Sequence, residues 1–169
     1  MRAGPVVVSF VGPSGVGKTT LVERVVPLLR ATGLTVATVK HASHGFEADR
    51  EGSDSWRHRA AGADAVLLVG PSGVALFVAP TEVTGFEHLS ELIDRHLHGY
   101  DIVLTEGFAP VRDVLVLLRR KDVAPKPIPL DPPPWLTVTD DPHGEGELGF
   151  DQLDVLAARI VALVTHDHH

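Results

Sequence analysis

The run Val6–Val11, VVVSFV, is apolar at every position but Ser9, and most of its side chains are β-branched. A stretch with no polar face predicts a strand buried on both sides, as in a parallel sheet. From residue 18 the period changes. Leu21, Val25, Leu28 and Leu29 recur at i, i+4, i+7 and i+8, which predicts a helix over 18–32 with those four on its inner face. Pro27 removes a backbone donor inside that helix and predicts a kink, and Gly33 is placed to end it. Leu34 to Val39, LTVATV, is again short and β-rich. Strand, loop, helix and strand within about 35 residues make a βαβ unit.

The polar stretch Lys40 to Ser55 follows, at the carboxyl edge of the second strand, where open α/β sheets bind ligands. Ser53 or Asp54 is placed to cap a helix running to about Ala61, with Gly62 as its stop. Asp64–Val69 and Val74–Val78 are apolar runs joined by Gly70-Pro-Ser-Gly73, the spacing of an antiparallel hairpin. Phe86, Leu89, Ile93 and Leu97 form one helical stripe. Strands are predicted over Ile102–Thr105, Asp113–Leu118 and Trp135–Val138. Between the last two, residues 125–134 hold six prolines and read as a stiff extended connector. An acidic, glycine-rich turn over 140–149 precedes a last helix with Phe150, Leu153, Ile160 and Val164 facing inward. The alternation predicts an α/β fold: a mostly parallel P-loop sheet flanked by helices, with an inserted β-hairpin, in a single domain spanning 1–169.

Between the first strand and first helix lies Gly12-Pro13-Ser14-Gly15-Val16-Gly17-Lys18-Thr19, a complete G-x-x-x-x-G-K-[ST]. Wrapping a phosphate chain takes several inward-pointing amides, and glycine permits the tight, Cβ-free path. The helix beginning near Lys18 adds its positive end. Lys18 is expected to reach the β- and γ-phosphates, and the Thr19 hydroxyl, followed by Thr20, to meet Mg²⁺.

Such a site needs a carboxylate near the metal, at the end of a strand beside the first. Asp101 and Glu106 bracket one strand and lie about 16 Å apart at about 3.3 Å per residue, so only one can approach the loop. Glu106, at the carboxyl end, is the expected one, and Asp101 is a strand-start turn residue. Asp49 is the second acidic candidate for the metal, a solvated loop aspartate being the bland alternative. His41 and His44 have metal-like spacing but form a weak set alone; neutral imidazoles bonded to phosphate or backbone are the favoured reading. Lys40, Arg57 and Arg59 offer positive charge to an anion, while the Arg119–Lys121 run reads as a solvated strand end. The chain has no asparagine, hence no Asn-Lys-x-Asp for guanine; Asp140, after a late strand, is the one candidate for the base edge.

A net charge of −7 argues against a general nucleic-acid binder. No apolar run has the length of a membrane span, and the first strand passes straight into the glycine loop instead of a signal-peptide cleavage site. With no cysteine there is neither a disulfide framework nor a thiolate metal site, and a cytoplasmic setting is expected.

GPSGVGKTTL, VKHASHGFEADREGSDSWRHRAAGAD and DIVLTEGF together resemble the molybdopterin-guanine dinucleotide biosynthesis adaptor protein B (MobB) family, over Val6 to about Phe108. The resemblance implies a GTP-binding P-loop protein, usually a homodimer, that assists the guanylyltransferase MobA in attaching GMP to molybdopterin. It implies phosphate and Mg²⁺ contacts from Gly15, Gly17, Lys18, Thr19 and Thr20, and acidic positions near the nucleotide at Asp49 and Glu106. Lys40, His41 and Arg59 fall in the family-like middle section as candidate anion or pterin contacts. Gly45-Phe46-Glu47 departs from the more acidic stretch of the family. The expectation is therefore an adaptor with weak Mg²⁺-dependent GTPase activity, since neither a water-orienting glutamine nor a built-in arginine finger stands out. The hairpin's apolar edge is expected to pair with its copy in a C2 dimer. Two alternatives come from other classes. A small-molecule kinase would need a lid, for which Arg112, Arg119 and Arg120 are the candidates. A metal-delivery GTPase would draw on the histidines.

Overall fold

Strand β1 is Val6–Val11, and alternate residues serve opposite faces of the sheet it anchors. Val8 and Phe10 point to one side, into a core shared with Leu21, Val25 and Leu29 of helix α1 (Lys18–Ala31) and Leu153, Leu156, Ile160 and Val164 of α4 (Leu153–His166). Val7 points to the other, against Leu89 and Ile93 of α3 (Phe86–His96). Helices on both faces explain why β1 has no polar stripe. Its single polar residue, Ser9, is fully buried and accepts a 3.1 Å hydrogen bond from the Thr105 hydroxyl on the neighbouring strand, so neither hydroxyl is stranded.

The remaining strands are β2 (Val36–Lys40), β3 (Ala65–Gly70), β4 (Gly73–Val78), β5 (Ile102–Glu106), β6 (Val114–Leu118), β7 (Leu136–Thr139) and β8 (Glu147–Gly149). Six of them form one sheet in the order β2-β5-β1-β6-β7-β8, every neighbouring pair parallel. β3 and β4 form a separate antiparallel pair closed at Gly70↔Gly73. The computed structural model describes residues 4–42, 45–47, 49–78, 86–107, 113–125, 127, 130 and 133–166. The chain folds into two compact units. One, Met1–His41 with Gly85–His169, carries the six-stranded sheet. The other, Ala42–Thr84, carries the hairpin and helix α2 (Asp54–Ala60). Among the described residues no helix is long and apolar enough to cross a membrane.

The parallel sheet, its flanking helices and the hairpin agree with the sequence reading. Four details differ. β8 lies within the stretch read as a turn; three residues are too few to show a period, and pairing with β7 defines the strand. Leu28 is not on the inner face of α1 but 37% exposed; the stripe is Leu21, Val25 and Leu29. The last helix begins at Leu153, leaving Phe150 in the connection before it. β2 starts at Val36, after Thr35 has been tied to the side chain of Asp101. α1 itself continues past Pro27 to Ala31, with Gly33 at φ 87° just beyond its end.

Ile160 is fully buried where α4 meets the sheet. Its replacement by alanine is expected to cost about 2–5 kcal/mol of stability, from lost burial plus the cavity left behind. Equilibrium urea unfolding checks this, and a midpoint equal to the parent's would show that the site collapses without loss.

Candidate functional site

The carboxyl end of β1 runs directly into the 12–17 loop, and two close approaches shape it. A Cβ on Gly12 would stand 2.8 Å from the Leu118 carbonyl oxygen and 3.0 Å from Val16 Cγ1, so only glycine passes. Gly17, at φ 100° and ψ 21°, caps α1 in the left-handed region where side chains are strained. The first amides of a helix have no intrahelical acceptor, and Gly17 brings no side chain to cap them, so an anion is the natural complement there. Lys18 arches back over the loop, donating from Nζ to the carbonyls of Gly12 at 3.0 Å and Pro13 at 2.8 Å.

The sheet register brings a carboxylate to the same place. Glu106 closes β5 in register with Phe10 of β1 and Lys40 of β2. Its Oε1 accepts 2.6 Å from the Thr19 hydroxyl and 3.0 Å from Lys40 Nζ, which also reaches Thr19 Oγ1 at 3.3 Å. The Glu106 side chain is 13% exposed, so its charge is poorly screened, and the Lys40 ammonium opposes it directly. His41 continues this edge. Its amide donates to the Glu106 carbonyl at 2.9 Å, and Nδ1 lies 3.3 Å from the Gly107 carbonyl. Gly107, at φ 87°, is where the chain turns away beside the His41 backbone.

Two hard oxygens, Thr19 Oγ1 and Glu106 Oε1, thus stand side by side next to the phosphate-type loop. That donor set fits Mg²⁺, which takes one or two protein oxygens and completes its octahedron with phosphates and water. It offers nothing to a softer metal.

Asp140 lies at the end of β7, where both carboxylate oxygens accept from the Lys121 amide at 3.2 Å. It therefore ties the ends of β6 and β7 together. Next to it Asp141 accepts 2.5 Å from Lys121 Nζ and 3.1 Å from His143 Nε2. The Lys121 hydrogen bond holds the Asp141 carboxyl below its usual range, and Asp141 raises Lys121 in turn. Asp101, at the other end of β5, accepts from the amide and hydroxyl of Thr35 and is the turn residue its position implied.

Asp49 and Arg59 belong to the second unit. The Asp49 side chain is 8% exposed, and Oδ1 accepts from Ser53 at 2.9 Å and Ser55 at 3.0 Å. Ser53 in turn caps α2 by accepting from the Trp56 amide. Asp49 Oδ2 is buried without a hydrogen bond among the described residues, 4.0 Å from Arg59 Nη1, and the Arg59 guanidinium lies 5.1 Å over the Phe77 ring. Asp49 is not a solvated loop residue but the organiser of the α2 start. Arg57 is exposed, 3.8 Å from Asp54. His44, Arg112 and Phe108 lie outside the described residues, as do His168, His169 and much of the proline-rich connector.

One site residue escapes sequence reasoning. Arg120 is not a solvated strand-end cation like Arg119 and Lys121. Its Nε donates to the Val16 carbonyl at 3.0 Å, and its guanidinium packs 4.1 Å from the Phe150 ring centroid. No local pattern marks it, because its partners are 104 residues upstream and 30 downstream.

The family model for "Molybdopterin guanine dinucleotide synthesis protein B" (MobB) matches residues 7–141. A "Molybdopterin-guanine dinucleotide biosynthesis adapter protein" of Haemophilus influenzae is 37% identical over 118 residues, which is 70% of this chain and 65% of that protein. Its namesake in Escherichia coli is 30% identical over 121 residues, covering 70% of this chain and 68% of that one. The match thus spans about two thirds of the length of these relatives. The crystal structure of a molybdopterin-guanine biosynthesis protein B superposes with a TM-score of 0.74 at 29% identity, covering 95% of this chain and 99% of the other. That of Bacillus subtilis MobB gives 0.67 at 26% identity, with 94% and 97% covered.

Proposed function

The chain belongs to the MobB family, and from that premise we propose that it is a GTP-binding adaptor with slow GTPase activity, serving the conversion of molybdopterin to its guanine dinucleotide form. The observation that carries this reading is the Thr19 hydroxyl set 2.6 Å from Glu106 beside a loop that Lys18 bridges. In this reading the backbone N–H groups of residues 14, 15 and 17–20 bind the phosphate chain, with Pro13, Ser14, Gly15 and Val16 forming its wall and Thr20 the first turn of α1. Lys18 exchanges its two carbonyl partners for the β- and γ-phosphate oxygens, to which its charge is better matched.

Thr19 and Glu106 are the residues that would hold Mg²⁺, and the ion when bound would offset charge on the γ-phosphate. Lys18 stabilises the same charge from the loop side. Glu106 keeps the Thr19 hydroxyl oriented and balances Lys40, which is thereby held beside the phosphates with His41 as a candidate contact for an anionic group. Water then displaces the terminal phosphate, giving GDP and inorganic phosphate. No glutamine for orienting that water was evident in the sequence, and slow turnover follows. Asp140 would read the guanine edge only by sharing oxygens already used by the Lys121 amide. Asp49 Oδ2, buried without a hydrogen bond among the described residues though 4.0 Å from Arg59 Nη1, is what supports a part for that residue in metal binding. The guanylyltransferase MobA and molybdopterin are the proposed partners, the cytoplasm the proposed setting and a homodimer the proposed state.

Calorimetric titration of GTP and ATP, each with and without Mg²⁺, tests the reading. GTP should bind more tightly than ATP, and Mg²⁺ should improve GTP affinity by about tenfold or more. Glu106→Gln should remove most of that Mg²⁺ gain while leaving metal-free binding near the parental value. Equal GTP affinity with and without Mg²⁺ in the parent protein would contradict the metal assignment.

A further inference from the structure

We propose that Arg120 is a positioning residue of the phosphate loop, fixing the peptide between Val16 and Gly17 so that the Gly17 N–H faces the phosphate chain. This rests on the nucleotide-binding reading above. A trans peptide is planar, with its carbonyl and N–H pointing in opposite directions. Arg120 Nε holds the Val16 carbonyl at 3.0 Å, and anchoring that oxygen on one side turns the Gly17 N–H to the other. Among the described residues the Gly17 N–H has no acceptor, as a donor kept for a ligand requires.

The guanidinium is itself held in place. One face packs on Phe150, which follows β8, with the guanidinium carbon 4.1 Å from the ring centroid. Its Nη2 and Nε lie 3.7 and 4.0 Å from where a Cβ on Gly17 would stand, so the group covers the start of α1. That is an unfavourable place for a cation, because a helix N-terminus is already positive and Lys18 is the next residue. Among the described residues no carboxylate lies within ion-pair distance of Arg120. A guanidinium beside a positive helix end therefore favours an anion from outside the chain.

The test measures GTP and tripolyphosphate binding, both with Mg²⁺, to the parent protein and to Arg120→Met, with Arg119→Met as the exposed neighbour. Arg120→Met should weaken both ligands by the same factor, about 10- to 100-fold, the usual range for losing a charge-assisted hydrogen bond. Arg119→Met should leave both unchanged. In ¹H–¹⁵N spectra the Gly17 amide should shift on adding tripolyphosphate to the parent and much less in Arg120→Met, which a merely structural role would not produce. Phe150→Leu, which unseats the guanidinium without removing it, should lose a few-fold; it also serves if Arg120→Met does not fold. Parental affinity in Arg120→Met or, should that variant not fold, in Phe150→Leu would overturn the inference. So would a loss confined to GTP with tripolyphosphate retained, which would make Arg120 a base contact. A parent protein that binds neither ligand would instead sink the nucleotide reading, and this inference with it.

Discussion

Lys18→Ala is expected to weaken GTP binding at least about a hundredfold while leaving the thermal midpoint nearly unchanged. The asymmetry follows from what Lys18 touches. Its partners are the carbonyls of Gly12 and Pro13 on a half-exposed loop, which water can satisfy once the ammonium is gone. Toward a triphosphate the same group supplies charge-assisted hydrogen bonds of roughly 1.5–3 kcal/mol each, and two of them amount to about two or more decades in affinity. Titration calorimetry beside a thermal melt reads both quantities. An alanine variant that binds GTP as the parent does would remove the phosphate site from the account altogether.

The second large effect concerns the hairpin. Cross-strand register places Leu67 opposite Leu76, Val69 opposite Val74 and Ala65 opposite Val78. Leu67, Val69, Val74, Leu76 and Val78 are 60, 75, 68, 47 and 55% exposed, and by the two-residue period all lie on one face. An apolar face of that extent on a single chain marks an association surface, and the expected occupant is a second copy of the chain. The double variant Leu67→Asp/Leu76→Asp should convert a dimer into monomers at tens of micromolar protein. Each buried leucine contributes about 1.5–3 kcal/mol, and each aspartate adds the cost of desolvating a charge. Sedimentation equilibrium decides this. Either a monomeric parent or a variant that still dimerises would show that the face serves something else.

The sequence reading succeeded where local pattern and tertiary environment agree. VVVSFV can hardly be anything but a doubly covered strand, and the glycine loop announces itself by spacing alone. The place of Glu106 beside Thr19 was legible because it depends on which end of a parallel strand the residue occupies. The hairpin was legible too, but its unusual surface appears only once the register shows five large side chains on one side. Arg120 and Asp49 were not legible in the same way. Each looks like an ordinary surface charge until its partners are assembled, the distant Val16 and Phe150 for Arg120, and Ser53, Ser55 and Arg59, brought in by the fold of the loop and α2, for Asp49. Leu28 failed for a simpler reason, since a wide helical stripe has edges and Leu28 sits on one.

The passage of Gly12 beneath the Leu118 carbonyl has a mechanical consequence. Together with the Val16–Arg120 bond, it sets the start and the finish of the loop against Leu118, which ends β6, and Arg120 just beyond it. The curl of the loop is thereby moulded by a neighbouring strand more than a hundred positions away, not by its own glycines alone. The shape of the phosphate grip is in this way tied to the position of residues 118–120.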